Sequence, residues 1–342
     1  LSGLSDDKEG ITTMKISGNR FAITGGVSLI GSHIAELLLA RGAEQVTLFD
    51  NYSLSAPEAA GDLPKDPRIK ILRGDILRIG ELYDAFEGAQ GVFSVAAFLT
   101  LPLAQNPGLG IAVNVQGQSN VLEACRYRGV KKMIFSSSTA VYGEPVPGVM
   151  DEATPSNLAP FQPAAALYSA SKLMGEHLNR HYHQKHGVET VSLRYATVYG
   201  ERQHYRGVNA LYIVENYDRI KRGERPVIPD DGKEVHDYIH VADVARANVL
   251  AMESGVSGES MNVCTGVATS LNDVVATLLK VMRSDLAPEY RTPKEGVRAS
   301  VGTQLAFSRE KIGRLLGWEP EVSLEAGIRR LVAWCEQRDA KR

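Results

Sequence analysis

The chain has 342 residues, 44% of them apolar, with 38 Lys and Arg against 40 Asp and Glu for a formal net charge of −2. That length can bury one large α/β core and a smaller lobe, and so balanced a charge gives no electrostatic case for nucleic acid or an anionic membrane. No stretch approaches an apolar spanning helix and no apolar segment follows a basic start, so a soluble, cytoplasmic protein with no membrane partner is expected.

Residues 1–14 are polar, lack a core pattern and are expected to form a flexible leader. Arg20 to Thr24 then reads as a short buried strand. Gly25-Gly26-Val27-Ser28-Leu29-Ile30-Gly31 follows, and an apolar helix runs from about Ile30 to Arg41. Strand, glycine-rich turn and helix open a dinucleotide-binding βαβ unit. Gly25 permits the tight turn, Gly31 lets the helix approach the sheet, and the free N–H groups of Ser28, Leu29, Ile30 and Gly31 at the helix start suit a pyrophosphate. The next strand, from Gln45, ends in Asp50-Asn51. A carboxylate about twenty residues past the turn can hold the adenosine ribose diol and would repel a 2′-phosphate, which predicts NAD rather than NADP.

Strand-like runs near 20–24, 45–49, 69–73, 91–96, 131–136 and 189–194 alternate with helical segments, which predicts a parallel sheet covered on both faces. The run Met133 to Phe135 leads into Ser136-Ser137-Ser138-Thr139, placing hydroxyls at the carboxyl end of a strand, where ligands of open parallel sheets bind. Pro145 to Pro163 holds five prolines and should be an ordered loop. It delivers the chain to Tyr168-Ser169-Ala170-Ser171-Lys172, where Tyr168 and Lys172 share one helix face. A phenol beside an ammonium is an acid–base pair in which the ammonium is expected to lower the tyrosine pKa, and Ser138 is positioned to hydrogen-bond the oxygen that exchanges the proton. After Gly200 the pattern is mixed. Helices are expected at Val208–Arg222, Asn272–Met282 and Ser308–Leu316, and a short strand at Arg225–Ile228. Val241–Glu253 should pack back on the larger part. The predicted division is a cofactor domain over 15–200, joined by 235–255, and a mainly substrate-binding lobe over 201–342.

His177, His181, His183 and His186 share a helix without a companion acid and read as a solvated face, so no metal site is expected. Cys125, Cys264 and Cys335 are scattered, with no zinc or disulfide spacing, and fit buried thiols in a reducing compartment.

The fingerprint at Gly25–Gly31, the hydroxyl at Ser138 and the Tyr168/Lys172 pair together resemble the extended short-chain dehydrogenase/reductase family, in its nucleotide-sugar epimerase and dehydratase branch. Gly74-Asp75-Ile76, Val95-Ala96-Ala97, Asn114-Val115-Gln116-Gly117, Leu193 to Gly200, His236 to Val244 and Leu316 to Pro320 are similar to further family landmarks, in order from about Asn19 to Trp334. The resemblance implies a Rossmann-type, doubly wound parallel sheet with a smaller C-terminal α/β lobe. It implies contacts to NAD from Asp75, Ile76, Val95, Ala96, Ala97, Asn114, Ser136, Ser137, Tyr195 and Val198 besides the fingerprint, Tyr168 and Lys172. It also implies a homodimer through the helices after Asn114 and around Tyr168.

Departures accompany it. Ser28 stands where the family usually has glycine, Thr197 where many epimerases have Asn, His236 where many have Arg, and Ser94 where His is common. Phe98 to Leu103 is more apolar than a sugar pocket suggests. Thr139 and Ala140 occupy positions where related 4,6-dehydratases carry an Asp-Glu pair, so dehydration is not expected. The resemblance implies C4 epimerisation of a UDP-sugar through a 4-keto intermediate, of the glucose/galactose or glucuronate type. Ser138, Thr139, Tyr168, Thr197, Arg202, His204, His236 and Arg298 are then candidates for the substrate. Two other readings stay open: an NAD(H)-dependent dehydrogenase or keto-reductase, and a non-catalytic dinucleotide sensor.

Overall fold

The computed structural model describes residues 13–55, 60–61, 63–203, 210–292 and 305–340. The first half of the chain alternates strand and helix. Its strands are β1 (Arg20–Thr24), β2 (Gln45–Asp50), β3 (Ile69–Arg73), β4 (Gly91–Ser94), β5 (Lys132–Ser138) and β6 (Glu189–Tyr195). Between them lie α1 (Leu29–Ala40), α2 (Ile79–Ala85), α3 (Thr100–Gln105), α4 (Pro107–Ile111), α5 (Gln118–Arg128) and α6 (Pro163–His186), with a π-helical turn over Ala112–Gly117 fusing α4 to α5. The second half adds β7 (Thr197–Tyr199), α7 (Leu211–Lys221), β8 (Val227–Pro229), β9 (Val235–His240), α8 (Val241–Glu253), β10 (Glu259–Val263), β11 (Ala268–Ser270), α9 (Leu271–Met282), β12 (Glu289–Arg291), α10 (Glu310–Leu316) and α11 (Leu324–Ala340).

The main sheet has seven parallel strands in the order β3-β2-β1-β4-β5-β6-β10. The sequence pattern shows six of them. β10 is five residues long and holds only Met261 and Val263 as apolar residues, too few to announce a strand. Because side chains alternate across a strand, Phe21 and Ile23 join one core cluster with Ile34 and Leu38 of α1 and Val244 of α8. Ala22 joins the other, with Leu82 of α2 and Val121 and Leu122 of α5. The sheet is therefore sandwiched between two helical layers, and strand order reverses between β1 and β4. A crevice opens at such a switch point, at the carboxyl ends of the strands.

Val241–Glu253 packs on α1. The remaining elements form a three-stranded sheet β11-β9-β7, a pair β12-β8, and an apolar cluster from α7, α9 and α11 that includes Ile213, Tyr217, Leu278 and Leu331. The helix expected from Val208 is seen from Leu211; residues 204–209 lie outside the described residues. The last segment returns to the main sheet. Trp318 is fully buried and its Nε1 donates to the Asp243 carbonyl at 3.0 Å, while the Asp243 carboxylate accepts from the backbones of Glu321 and Val322 at 3.0 Å each.

His177, His181 and His186 are exposed, but His183 is half-buried against Gly258. The three cysteines are buried and unpaired. Among the described residues no helix is long and apolar enough to cross a membrane, and no cluster of His, Cys, Asp and Glu could hold a metal.

Candidate active site

Two adjoining clefts open at the carboxyl edge of the main sheet. The first is lined by Gly25, Ser28, Leu29, Ile30, Asp50, Asn51, Asp75, Ile76, Val95, Ala96, Ala97 and Val198, all expected at a dinucleotide. Gly25 has φ +65°, and a Cβ there would lie 2.9 Å from the Ala96 nitrogen. A Cβ on Gly31 would lie 2.3 Å from the Gly25 carbonyl oxygen. The two glycines thus let α1 and the β4 loop close on one turn, leaving a cradle that no side chain fills. Gly31 itself is buried behind the turn, and its N–H is taken by the Ser28 hydroxyl at 3.2 Å. Ser28 is therefore the N-cap of α1; its oxygen accepts from the helix and its proton remains available to an anion.

Asp50 is buried, and its carboxylate accepts from the Val27 N–H at 3.1 Å, the Tyr52 N–H at 2.9 Å and the Ser55 hydroxyl at 2.8 Å. It ties the glycine turn to the loop after β2 and keeps acceptor capacity toward the cleft. Asp75 is held likewise, accepting from the Leu77 N–H at 2.9 Å while its own N–H donates to Glu81 at 2.8 Å. Ser53, Leu54, Ser55 and Gln203 also line this cleft. No motif marks them; they are brought in by the loop that Asp50 folds and by the turn after β7.

Asn114 sits in the π-helical turn, not in the cleft wall. Its amide accepts from the Phe98 N–H at 2.7 Å and donates to the Phe98 carbonyl at 2.9 Å and the Ser171 hydroxyl at 3.0 Å. It therefore fixes the apolar loop Phe98–Leu99 against α6, and Leu99 is common to both clefts.

The second cleft is lined by Ser138, Thr139, Ala140, Tyr168, Thr197 and His236, and by Met150, Phe161, Leu305 and Phe307. Ser138 ends β5 and caps the short 3₁₀ turn Thr139–Tyr142, its oxygen accepting from the Ala140 N–H at 3.2 Å. The same hydroxyl lies beside the Tyr168 phenol, which lines the cleft with it, and biases that phenol toward its charged form. Burial pushes the Tyr168 pKa up to about 12, with the Ser138 hydroxyl opposing it. Lys172 is buried as well, and its Nζ donates to the Ser136 carbonyl at 2.7 Å. Burial pulls the Lys172 pKa down to about 8, against the field of Glu176. This corrects one expectation. Within the protein alone, desolvation dominates and the ammonium, 5.9 Å from the Tyr168 ring centre, does not bring the phenol below its ordinary range.

Other expected residues are elsewhere. The Ser136 hydroxyl pairs with the Tyr195 hydroxyl at 3.1 Å, which bonds Asn248 at 2.9 Å on the α8 side of the sheet. Ser137 donates to Glu176 at 2.6 Å on the α6 side. None of these three side chains lines the first cleft, because strand alternation turns them into the two core layers; Tyr195 borders only the second. Arg202, a candidate for the substrate, has φ +68° and pairs with Glu36 of α1. It lines neither cleft, and together with burial it pushes the pKa of neighbouring His33 down to about 4. His236 faces the second cleft with Nε2 2.8 Å from Glu234. His204 and Arg298 lie outside the described residues.

The chain matches the model of the NAD dependent epimerase/dehydratase family over residues 21–264. It is 32% identical over 318 residues to the UDP-glucose 4-epimerase of Corynebacterium glutamicum, covering 88% of this chain and 91% of that one. Among solved structures it is similar to a UDP-glucose 4-epimerase of Thermotoga maritima with UDP-glucose (TM-score 0.83, 30% identity, 93% of this chain and 99% of that one). A UDP-glucose 4-epimerase of Thermus thermophilus in complex with NAD gives a TM-score of 0.79 at 32% identity, covering 93% and 99% of the two chains. With this match and these relatives, the chain is an enzyme of the NAD dependent epimerase/dehydratase family.

Proposed function

We propose that this enzyme interconverts C4 epimers of a UDP-sugar with NAD held in the first cleft. The observation that carries the reading is that Ser138 and Tyr168 line one cleft together, beside the wall it shares with the first at Leu99. NAD, when bound, supplies the acceptor and donor of hydride. Asp50 takes the adenosine ribose, the start of α1 with Ser28 takes the pyrophosphate, and Lys172 serves the nicotinamide ribose. Tyr168 accepts the proton of the sugar hydroxyl and returns it, and Ser138 hydrogen-bonds the same oxygen.

Several features support epimerisation of a neutral hexose. Thr139 and Ala140 bring no carboxylate to the second cleft, and Asp237 there is committed to the Thr265 and Gly266 N–H groups at 2.8 and 2.7 Å, so no free acid serves dehydration. Among the described residues no lysine or arginine lines that cleft, which favours glucose and galactose over glucuronate. Leu167 and Met174 are exposed on α6, in keeping with the proposed homodimer.

NMR of the purified protein with UDP- and dTDP-sugars and no added cofactor should show one C4 pair interconverting. Activity that appears only with added and consumed NAD(H) would replace this reading with a dehydrogenase or keto-reductase. Tyr168→Phe should lose at least about 10²-fold in turnover while retaining NAD, read by absorbance of the nucleotide released on denaturation.

A further inference from the structure

Behind the catalytic cluster lies a buried ion pair that touches neither cleft. Glu176 is one turn past Lys172 on α6, and Arg194 lies on β6; their side chains are 4% and 10% exposed. The guanidinium meets the carboxylate through Nε at 2.9 Å and Nη2 at 2.8 Å, the two-pronged geometry of a strong pair. Two hydroxyls complete the shell of the carboxylate. Ser137 of β5 donates to it at 2.6 Å and Ser260 of β10 at 3.1 Å. The remaining prong of Arg194 donates to the Tyr142 hydroxyl at 3.0 Å, and Tyr142 in turn donates to Asn262 at 2.7 Å.

What these contacts hold decides their meaning. Ser137 stands between the residue whose carbonyl receives Lys172 and the residue whose hydroxyl meets Tyr168. Tyr142 closes the 3₁₀ turn that begins after Ser138. One buried pair therefore grips the 136–142 segment at both ends, and grips α6 at the turn below Lys172. A buried charge pair so fully bonded has few alternative arrangements, and taking away one partner is far more costly than the pair is stabilising, so it fixes register.

We infer that Glu176 and Arg194 are positioning residues, which set the spacing of Ser138 and Lys172 against Tyr168 through Ser137 and Tyr142. The inference rests on the reading of Ser138, Tyr168 and Lys172 as the reacting groups.

The two hydroxyls on one carboxylate provide the test. Ser137→Ala and Ser260→Ala each remove a single donor from Glu176 and leave the ion pair and the other hydroxyl in place. A merely structural pair predicts equal effects. A positioning pair predicts that Ser137→Ala, in the holoenzyme, lowers kcat about tenfold with little change in KM, whereas Ser260→Ala changes kcat less than about twofold. A second readout needs no turnover. In holoenzyme carrying ¹³Cζ-tyrosine, the Tyr168 resonance, identified by its loss in Tyr168→Phe, should titrate about half a pH unit higher in Ser137→Ala as the Ser138 hydroxyl moves away, and unchanged in Ser260→Ala. If Ser137→Ala does not accumulate folded, Arg194→Lys keeps the charge and gives up Tyr142, and should show the same kcat loss and the same shift. Equal effects of the two serine variants, or no effect of either on kcat and titration, would overturn the inference. A wild-type protein that turns over no UDP-sugar while the Tyr168 shift appears as described would sink the proposed substrate and leave the positioning role standing.

Discussion

Lys132 shows what a buried charge does where no chemistry uses it. It opens β5, is fully buried, and its Nζ donates to the carbonyl of Ser254, the C-cap of α8, at 2.6 Å. Burial lowers its pKa to about 8, against the ordinary 10.5. The folded form therefore carries a penalty that is fully present below pH 8 and is relieved as pH rises toward 10.5, where the unfolded chain also loses the proton. Relative to Lys132→Met, the wild type should gain up to about 3 kcal/mol between about pH 7 and about pH 10, measured by urea unfolding; a flat difference would refute the assignment. Lys172 shares the direction and the cause, but its amine faces the carbonyl of Ser136 beside the reacting hydroxyls. The sequence made Lys172 legible through its spacing from Tyr168. Lys132 had no such partner to mark it. Glu176 was in plain view at i+4 from Lys172, yet its meaning depends on Ser137 and Arg194, brought beside it only when β5 and β6 pair in the sheet.

At the scale of elements, α1 and the turn before it act as one unit. The helix can start where it does because Gly31 has no Cβ to strike the Gly25 carbonyl. Gly31→Ala should shift α1, lower stability by about 1–3 kcal/mol and weaken NAD binding at least about tenfold, read by thermal unfolding with and without NAD and by calorimetry; an unperturbed affinity would mean that the turn has slack. This unit was readable because its devices are local: glycine at fixed offsets and Asp50 at the end of the next strand; the cap that Ser28 makes came only with the structure. The wall of the second cleft was not. Met150, Leu305 and Phe307 come from segments far apart that meet as a β-bridge between Met150 and Phe307, and no local pattern foretells such a meeting. Ser136 and Ser137 are an intermediate case. They lie on the right strand end, but the twofold alternation that hides their side chains was there to be read and outweighs their position.

For the whole molecule, the segment around Trp318 matters more than its distance from the clefts suggests. Asp243 on α8 receives the backbones of Glu321 and Val322 and pairs with Arg246 at 2.8 Å, and Trp318 is sealed beneath α8. This segment thereby staples the second half of the chain to the main sheet. Asp243→Ala leaves those N–H groups without their acceptor and takes from Arg246 its buried carboxylate, leaving it Glu321 at 3.1 Å, and should cost about 3–5 kcal/mol. Tryptophan fluorescence and release of bound NADH should nevertheless change together on unfolding of the wild type. Two separated transitions would show that the staple is not shared by the cofactor cleft.

The π-helical turn that carries Asn114 also bears on how this chain can be inherited. Such a turn holds one residue more than regular α-helix would. Loss of a single codon between 112 and 117 would let the helix close up regularly with α5 in its present phase, but would forfeit the Asn114 grip on Phe98. Rewinding the turn as regular helix at its present length would instead rotate everything after it by about 100°. Gln118, which accepts from Ser94 at 2.7 Å and donates to Asn179 at 2.8 Å, and Asn120, which donates to the Ile76 carbonyl at 2.9 Å, would then swing off their partners. Descendants of this gene can lengthen or shorten the surface loops, but through this stretch the length of the helix and the place of Asn114 are bound together.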